Sequence, residues 1–87
     1  MNTIELRNEA IEYAKKAVEC EDTEKYEDAI KFYKKSINNL EIVIQQDENK
    51  YTRDTYTTKK REYNDRVEYL EKFLNSKKTK KEAVGGK

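Results

Sequence analysis

Residues 26–44 read YEDAIKFYKKSINNLEIVI, and this stretch decides the fold class. Its apolar residues and one serine recur at intervals of three and four, which places them on one face of an α-helix. That face consists of Tyr26, Ala29, Ile30, Tyr33, Ser36, Ile37, Leu40, Val43 and Ile44. Five turns of this pattern predict an amphipathic helix over roughly residues 24–46. Phe32 and Ile42 lie off the face, and we interpret them as scattered surface residues.

Two further segments with helical spacing flank this stretch. The first covers roughly residues 3–21, and its apolar band is wide enough to pack against two neighbours. Its members are Ile4, Leu6, Ala10, Ile11, Tyr13, Ala14, Ala17, Val18 and Cys20. The second covers roughly residues 51–75, and β-branched threonines weaken its first half. Its apolar row is Tyr56, Tyr63, Val67, Leu70, Phe73 and Leu74.

Short polar breaks at residues 21–25 and 46–50 separate the three segments. Asp22 or Thr23 is the expected N-cap of the second helix, because short polar side chains accept from free backbone N–H groups. Long helices joined by short connections are antiparallel neighbours. The sequence therefore predicts an all-α fold, an antiparallel three-helix bundle that runs up, down and up.

The composition supports a folded helical chain. Charged residues make up 43% of the 87 residues and hydrophobic residues 34%, a balance that disordered chains also show. However, there is no proline, and the two glycines stand at positions 85 and 86, which favours helix. There is no long apolar run, no signal-peptide pattern and only one cysteine, Cys20. We expect a soluble intracellular helical domain.

The same inventory excludes most catalytic chemistry. The chain has no histidine, no glycine before residue 85 and a single cysteine. It therefore lacks the commonest general base, a phosphate-binding glycine loop and the ligand cluster of a structural zinc site. We expect no catalytic residue, no metal site and no cofactor in this chain.

The charges divide the chain into two parts. Residues 1–75 carry 14 basic and 17 acidic side chains, whereas residues 76–87 carry five lysines and one glutamate. We predict a folded domain over residues 1–75 and a basic flexible linker over residues 76–87. Contact of this tail with nucleic acid or acidic lipid is the alternative. A nucleic-acid-binding domain concentrates its basic charge on the folded part, so we expect no nucleic acid partner.

Three features in order along the chain resemble those of the MIT domain, the microtubule interacting and trafficking module. The first is an alanine-rich first helix, which includes residues 10–24, AIEYAKKAVECEDTE. Tyr26, Ala29, Ile30, Tyr33, Ser36 and Ile37 match the family's Y-x-x-A-φ-x-x-Y-x-x-[AS]-φ pattern, where φ is apolar. Residues 63–70, YNDRVEYL, match its third-helix pattern at the tyrosine, the arginine, the glutamate and the last leucine. The resemblance covers about residues 4–74. It is strongest to the N-terminal domain of vacuolar protein sorting 4-type AAA ATPases, whereas sorting nexins, spastin-like ATPases, deubiquitinases and kinases stay open as hosts.

The resemblance implies a non-catalytic, monomeric receptor for the C-terminal tails of ESCRT-III subunits. The tail docks as a helix between helices two and three, or as an extended, proline-containing strand between helices one and three. An attached AAA ATPase, downstream of residue 87, would then disassemble the filament at endosomal membranes. ATP and magnesium are expected only in that downstream domain, and membrane contact is expected to be indirect.

The expected binding residues form two groups. For the groove between helices two and three they are Lys34, Ile37, Glu41, Ile44, Lys60, Asn64, Val67, Glu68 and Glu71. Ile37 and Val67 are equally interpretable as core residues, and the acidic residues as solvated surface. For the groove between helices one and three they are Arg7, Ile11, Ala14, Val18, Tyr56, Tyr63 and Arg66. The family commonly has leucine where this chain has Asn64, so we expect a weakened or altered helical-tail mode.

Two other readings of the sequence stay open. The Y-x-x-A-I motif also occurs in tetratricopeptide repeats, which recur every 34 residues. However, the residues 34 positions after Ala29 and Ile30 are Tyr63 and Asn64, so the motif is not repeated at that interval. The second alternative is a self-associating helical bundle whose apolar rows form a homomeric seam.

Overall fold

The computed structural model describes the backbone of residues 2–85 and the side chains of residues 2–77. It contains three helices, α1 (Thr3–Asp22), α2 (Tyr26–Gln46) and α3 (Lys50–Gly85). Along α2, Tyr33 contacts Glu21 of α1 and Asn39 contacts Leu6, so α1 and α2 run antiparallel. Lys34 pairs with Glu71 of α3 and Glu41 pairs with Lys60, so α2 and α3 also run antiparallel. The all-α class and the three-helix bundle are confirmed. No helix among the described residues is both long and apolar enough to cross a membrane.

Side-chain caps define where α1 and α3 begin. The Asn2 side chain accepts a hydrogen bond from the Glu5 N–H at 2.9 Å. The Asn49 side chain accepts from the Thr52 N–H at 3.0 Å. Each bond satisfies one of the backbone donors that a helix leaves free in its first turn.

The predicted cap of α2 is wrong. The residue before α2 is Lys25, and no side chain caps it. Asp22 belongs to the last turn of α1, and the Thr23 hydroxyl donates back to the Glu19 carbonyl at 3.1 Å. α1 therefore continues further into the polar break than its composition indicates.

A left-handed residue ends α1. Glu24 has φ of 63°, the Lys25 N–H donates to the Cys20 carbonyl at 2.7 Å, and the Glu24 N–H donates to the Glu21 carbonyl at 3.0 Å. These two bonds make a Schellman motif, in which the left-handed position is usually glycine. A side chain there approaches the following carbonyl oxygen, which costs about 1–2 kcal/mol.

We expect Glu24→Gly to raise the free energy of unfolding by about 1 kcal/mol, because it removes this clash. In a domain of this size that is a rise of about 4–8 °C in melting temperature. Lys25→Gly is the matched control, since Lys25 has φ of −93° and gains nothing from glycine. An equal effect of both variants in thermal denaturation would refute this account.

The core lies along α2, which packs against both other helices. Its central cluster consists of Ala17, Ala29, Ile30, Tyr33, Ile37, Val67 and Leu70. The fully buried Ser36 hydroxyl donates to the Ala10 carbonyl at 2.8 Å, and the Asn39 amide donates to the Leu6 carbonyl at 3.2 Å. Phe32, expected at the surface, is instead half-buried and stacks on Tyr13 with ring centroids 6.3 Å apart.

The backbones of α1 and α3 are separate, although individual side chains of the two helices meet. Within the part of the chain that the structure describes, no Cα atom of α1 lies within 8 Å of a Cα atom of α3. The two helices therefore flank α2 and leave an open channel between them.

α3 continues to Gly85, ten residues past the end predicted for the third segment. Its 36 residues correspond to about 54 Å of α-helix, against about 30 Å for α1. Tyr26, at the start of α2, lies beside Phe73 of α3, so the last part of α3 extends beyond the other helices. The flexibility of residues 76–87 stays a prediction, and Gly86, Lys87 and the side chains of residues 78–85 lie outside the described part.

Candidate functional site

The channel between α1 and α3, called here the α1/α3 groove, contains two adjoining cavities. The larger, of about 430 Å³, is lined by Ile11, Ala14, Lys15, Val18, Glu19, Tyr33 and Tyr63. The smaller, of about 180 Å³, is lined by Arg7, Ala10, Ile11, Ser36, Leu40, Thr55, Tyr56, Lys59 and Tyr63. Because both cavities share Ile11 and Tyr63, they form one continuous groove.

The groove is apolar because α2 forms its floor and two helix faces form its walls. Tyr33, Ser36 and Leu40 belong to the apolar face of α2, which extends beneath both flanking helices. Six of the seven residues that the resemblance assigns to this groove line the two cavities: Arg7, Ile11, Ala14, Val18, Tyr56 and Tyr63. Their role in binding a partner stays a prediction.

A row of aliphatic side chains is exposed along α1. Ile4 is 59% exposed, and Ile11 and Val18 are each 49% exposed. Their spacing of seven residues places them on one line along the helix. Ile11 and Val18 form the α1 wall of the groove, so the exposed apolar surface is contiguous with the two cavities. Contiguous exposed apolar surface of this kind is typical of a protein-binding site.

An ion pair crosses the groove at the end of α1. Arg66 donates from Nε to the Glu21 carboxylate at 2.7 Å, and its terminal nitrogen contacts the same oxygen. The Tyr33 hydroxyl donates to the second Glu21 oxygen at 2.5 Å. Arg66 therefore lies between α1 and α3 as expected, but it is paired within the bundle. Its guanidinium also lies 4.7 Å from the Tyr69 ring centroid.

This cluster shifts the protonation of its members. The hydrogen bond from Arg66 holds the pKa of Glu21 below its ordinary value, the Tyr33 bond acts in the same direction, and burial opposes both. Burial, together with the bond to Glu21, raises the pKa of Tyr33. Glu21 is therefore charged and Tyr33 is neutral at pH 7.

We expect Glu21→Gln to lower the free energy of unfolding at pH 7 by about 1–2 kcal/mol, because bonds to a charged acceptor are lost. A carboxylate with a lowered pKa stabilises the fold above its ordinary pKa of 4.5. That contribution is lost as the pH falls through the lowered value. Urea denaturation from pH 7 to pH 3 should therefore show the stabilities of the two proteins converging.

Glu12→Gln is the matched control for this experiment, because the Glu12 side chain is 66% exposed. It should leave both the stability at pH 7 and its pH dependence close to those of the parent chain. If Glu21→Gln follows the same profile as Glu12→Gln, the ion pair across the groove contributes no stability.

The second predicted groove is occupied by interactions within the bundle. Lys34 pairs with Glu71 at 3.3 Å, and Lys60 pairs with Glu41 at 3.9 Å, so two ion pairs join α2 to α3. Ile37 and Val67, predicted as groove walls, are core residues with 6% of their surface exposed.

The remaining members of this group lie at the surface or at its edge. Ile44 is partly buried, whereas Asn64 and Glu68 are exposed. Glu68 pairs with Lys72 at 3.5 Å within α3. The α2/α3 surface is thus a polar layer over a closed core, and a role for it in binding stays a prediction.

Sequence reasoning missed several residues of the α1/α3 groove, notably Tyr33, Leu40, Lys15, Glu19 and Lys59. The first two were recognised as apolar residues of α2 and were assigned to its core face. Periodicity shows that a residue faces a neighbour, but not whether that neighbour covers it. The charged members lie at the groove edge, and nothing in their spacing distinguishes them from other surface charges.

The comparisons with known proteins identify the family. No curated protein matches the chain. The sequence model of the MIT (microtubule interacting and transport) domain matches residues 8–72, which is most of the chain and includes all of α2. This match favours the MIT resemblance over the tetratricopeptide alternative, and MIT domains are three-helix, protein-interaction modules that bind peptide motifs. The chain belongs to the MIT domain family.

Proposed function

We propose that this chain is a non-catalytic receptor for the C-terminal tails of ESCRT-III subunits, and that an extended tail binds in the α1/α3 groove. The observation that carries this proposal is the separation of α1 from α3, which leaves apolar surface uncovered. An extended segment can bury its apolar side chains there without moving any helix. Apolar anchors supply most of the affinity of such interfaces, and charges at the edge set register.

A helical tail on the α2/α3 surface is the second mode, and three features weaken it. The ion pairs Lys34–Glu71 and Lys60–Glu41 would have to open or rearrange. Ile37 and Val67 already belong to the core. Asn64 presents an amide where an apolar anchor would be needed, and an unpaired buried amide costs about 1–3 kcal/mol. The extended mode is therefore the preferred one.

The wider role follows from the same proposal. An AAA ATPase attached downstream of residue 87 would be recruited to the filament and would hold the ATP and magnesium. The domain would act in the cytoplasm at endosomal membranes, as a monomer with no direct contact with lipid or nucleic acid. The acidic charge of residues 1–75 supports the last point, because phosphate contacts require clustered basic residues.

Titration of labelled ESCRT-III tail peptides into the chain tests the proposal. Peptides of the extended, proline-containing type and of the helical type are measured separately by fluorescence anisotropy. We expect saturable binding of the extended type and weaker binding of the helical type. Failure of both types to bind at about millimolar concentration would refute the ESCRT-III assignment.

A self-associating bundle is the competing function, because the Ile4, Ile11 and Val18 row has the spacing of a helix seam. Sedimentation equilibrium separates the two. A concentration-dependent dimer at micromolar concentration would favour self-association, whereas a monomer that binds tail peptides supports the receptor.

Asn64→Leu should strengthen the helical mode about three- to tenfold. Burying a leucine contributes about 1.5–3 kcal/mol, and ordering on binding offsets part of that gain. Asn8 is also an exposed asparagine but lies on α1, so Asn8→Leu controls for added surface hydrophobicity. An equal gain from both variants in anisotropy titrations would show that Asn64 is not an anchor position.

A further inference from the structure

The two cavities of the α1/α3 groove differ in charge. The smaller cavity is lined by two cationic side chains, Arg7 and Lys59, and by no carboxylate. The larger cavity has one charge of each sign, Lys15 and Glu19. The groove is therefore positive at the end near the start of α1 and neutral at the other.

The cationic end can hold an anionic group. Arg7 is half-buried and lines the smaller cavity, and a guanidinium is suited to paired hydrogen bonds with a carboxylate. Lys59 lies 3.7 Å from Glu62, but both side chains are more than half exposed, and such pairs are weak in water. Lys59 can therefore exchange Glu62 for a carboxylate of a bound segment at little cost.

Beyond the larger cavity, the ion pair between Glu21 and Arg66 connects α1 to α3. Arg7 and Glu21 stand 14 positions apart in α1, which corresponds to about 21 Å of helix. An extended chain covers that distance in about six residues. The occupant is thus a short segment whose apolar residues fill the cavities and whose one end lies beside Arg7 and Lys59.

We propose that the α1/α3 groove selects a segment of about six extended residues with an acidic residue at the end that lies beside Arg7 and Lys59. The two apolar cavities accept side chains in either chain direction, so they define no orientation by themselves. The cationic end supplies that orientation and the register, because charge complementarity at an interface edge mainly controls specificity. This inference rests on the proposed function and specifies the chemistry of its ligand.

The test uses four labelled peptides that share one extended, proline-containing ESCRT-III tail core. In the first peptide two aspartates precede the core, and in the second they follow it. The end at which the aspartates give tighter binding then carries two asparagines in the third peptide and two lysines in the fourth. Binding is measured to the parent chain, to Arg7→Glu/Lys59→Glu and to the control Lys31→Glu. Lys31 is an exposed lysine of α2 outside the groove, and circular dichroism verifies that each variant is folded.

We expect one aspartate peptide to bind about three- to tenfold more tightly than the asparagine peptide at low salt, with the other aspartate peptide near the asparagine value. The double variant Arg7→Glu/Lys59→Glu should lose the preference for the aspartate peptide and bind the lysine peptide more tightly. The control Lys31→Glu should keep the preference of the parent chain. The preference should shrink at high salt because the charges are screened.

Equal affinity of all four peptides would overturn the inference. So would equal effects of Arg7→Glu/Lys59→Glu and Lys31→Glu on every peptide, which would indicate a response to net charge alone. In either case the proposed function still stands if Ala14→Asp removes binding of the unmodified tail. Binding of neither the four peptides nor the unmodified tail would refute both.

Discussion

Ala14→Asp should reduce the affinity of the chain for an extended tail peptide by at least about a hundredfold. Ala14 lies in the wall of the larger cavity beside Ile11, Val18 and Tyr63. A carboxylate at this position would lose its water when a peptide fills the groove, and the two charged residues that line this cavity, Lys15 and Glu19, have opposite signs. A hundredfold loss corresponds to about 2.7 kcal/mol, which is within the cost of burying an unpaired charge.

The helical tail provides the control for this result, because it is expected on the α2/α3 surface. Its affinity should be unchanged in Ala14→Asp. Since Ala14 is itself buried, Ile11→Asp repeats the test at a position that is 49% exposed and places little strain on the fold. Loss of helical-tail binding with retention of extended-tail binding in both folded variants would reverse our assignment of the two surfaces.

Leu70→Ala should lower the free energy of unfolding by about 3 kcal/mol. Leu70 is 1% exposed and packs in the cluster between α2 and α3. Truncation removes buried methyl groups and leaves a cavity, which together cost about 2–5 kcal/mol. A domain of this size has only about 5–10 kcal/mol in total, and the expected fall in melting temperature is about 12–24 °C.

Ile4→Ala is the matched control, because it removes the same number of carbon atoms at a position that is 59% exposed. Its effect on stability should be below about 1 kcal/mol. Leu70→Ala should also weaken tail binding, since α3 is held to the bundle mainly through α2 and forms one wall of the groove. A similar loss of stability in both variants, measured by urea denaturation, would contradict the packing described for Leu70.

The helices and their order were predictable because their signals are local. The apolar face of α2 recurs every three to four residues, and each such interval is set by the geometry of a single helix. Where the same residues fitted either the start of one helix or the end of another, the predicted helix boundary was wrong. Asp22 and Thr23 resemble helix caps in composition, but the backbone turns at Glu24 and leaves both residues in the last turn and the C-cap of α1.

The candidate site was only partly predictable. Arg7, Ile11, Ala14, Val18, Tyr56 and Tyr63 were assigned to one groove through the family resemblance, and the structure brings them together. Ile37 and Val67 were assigned to the other groove, and the structure buries them in the core. Apart from Arg7, which is cationic, each of these residues was read correctly as apolar. What differed was whether a second helix covered it.

The sequence by itself determined that this chain forms three amphipathic helices with α2 as the most regular, and that it resembles an MIT domain. Only the tertiary structure decided that α1 and α3 stay apart, that Glu21 meets Arg66 across 45 positions of sequence, and that ion pairs join α2 to α3. The physical reason is the distance along the sequence over which each feature is determined. Helical periodicity depends on neighbours within one or two turns, whereas the distance between two helices depends on side-chain volumes that three separate segments contribute to a shared interface.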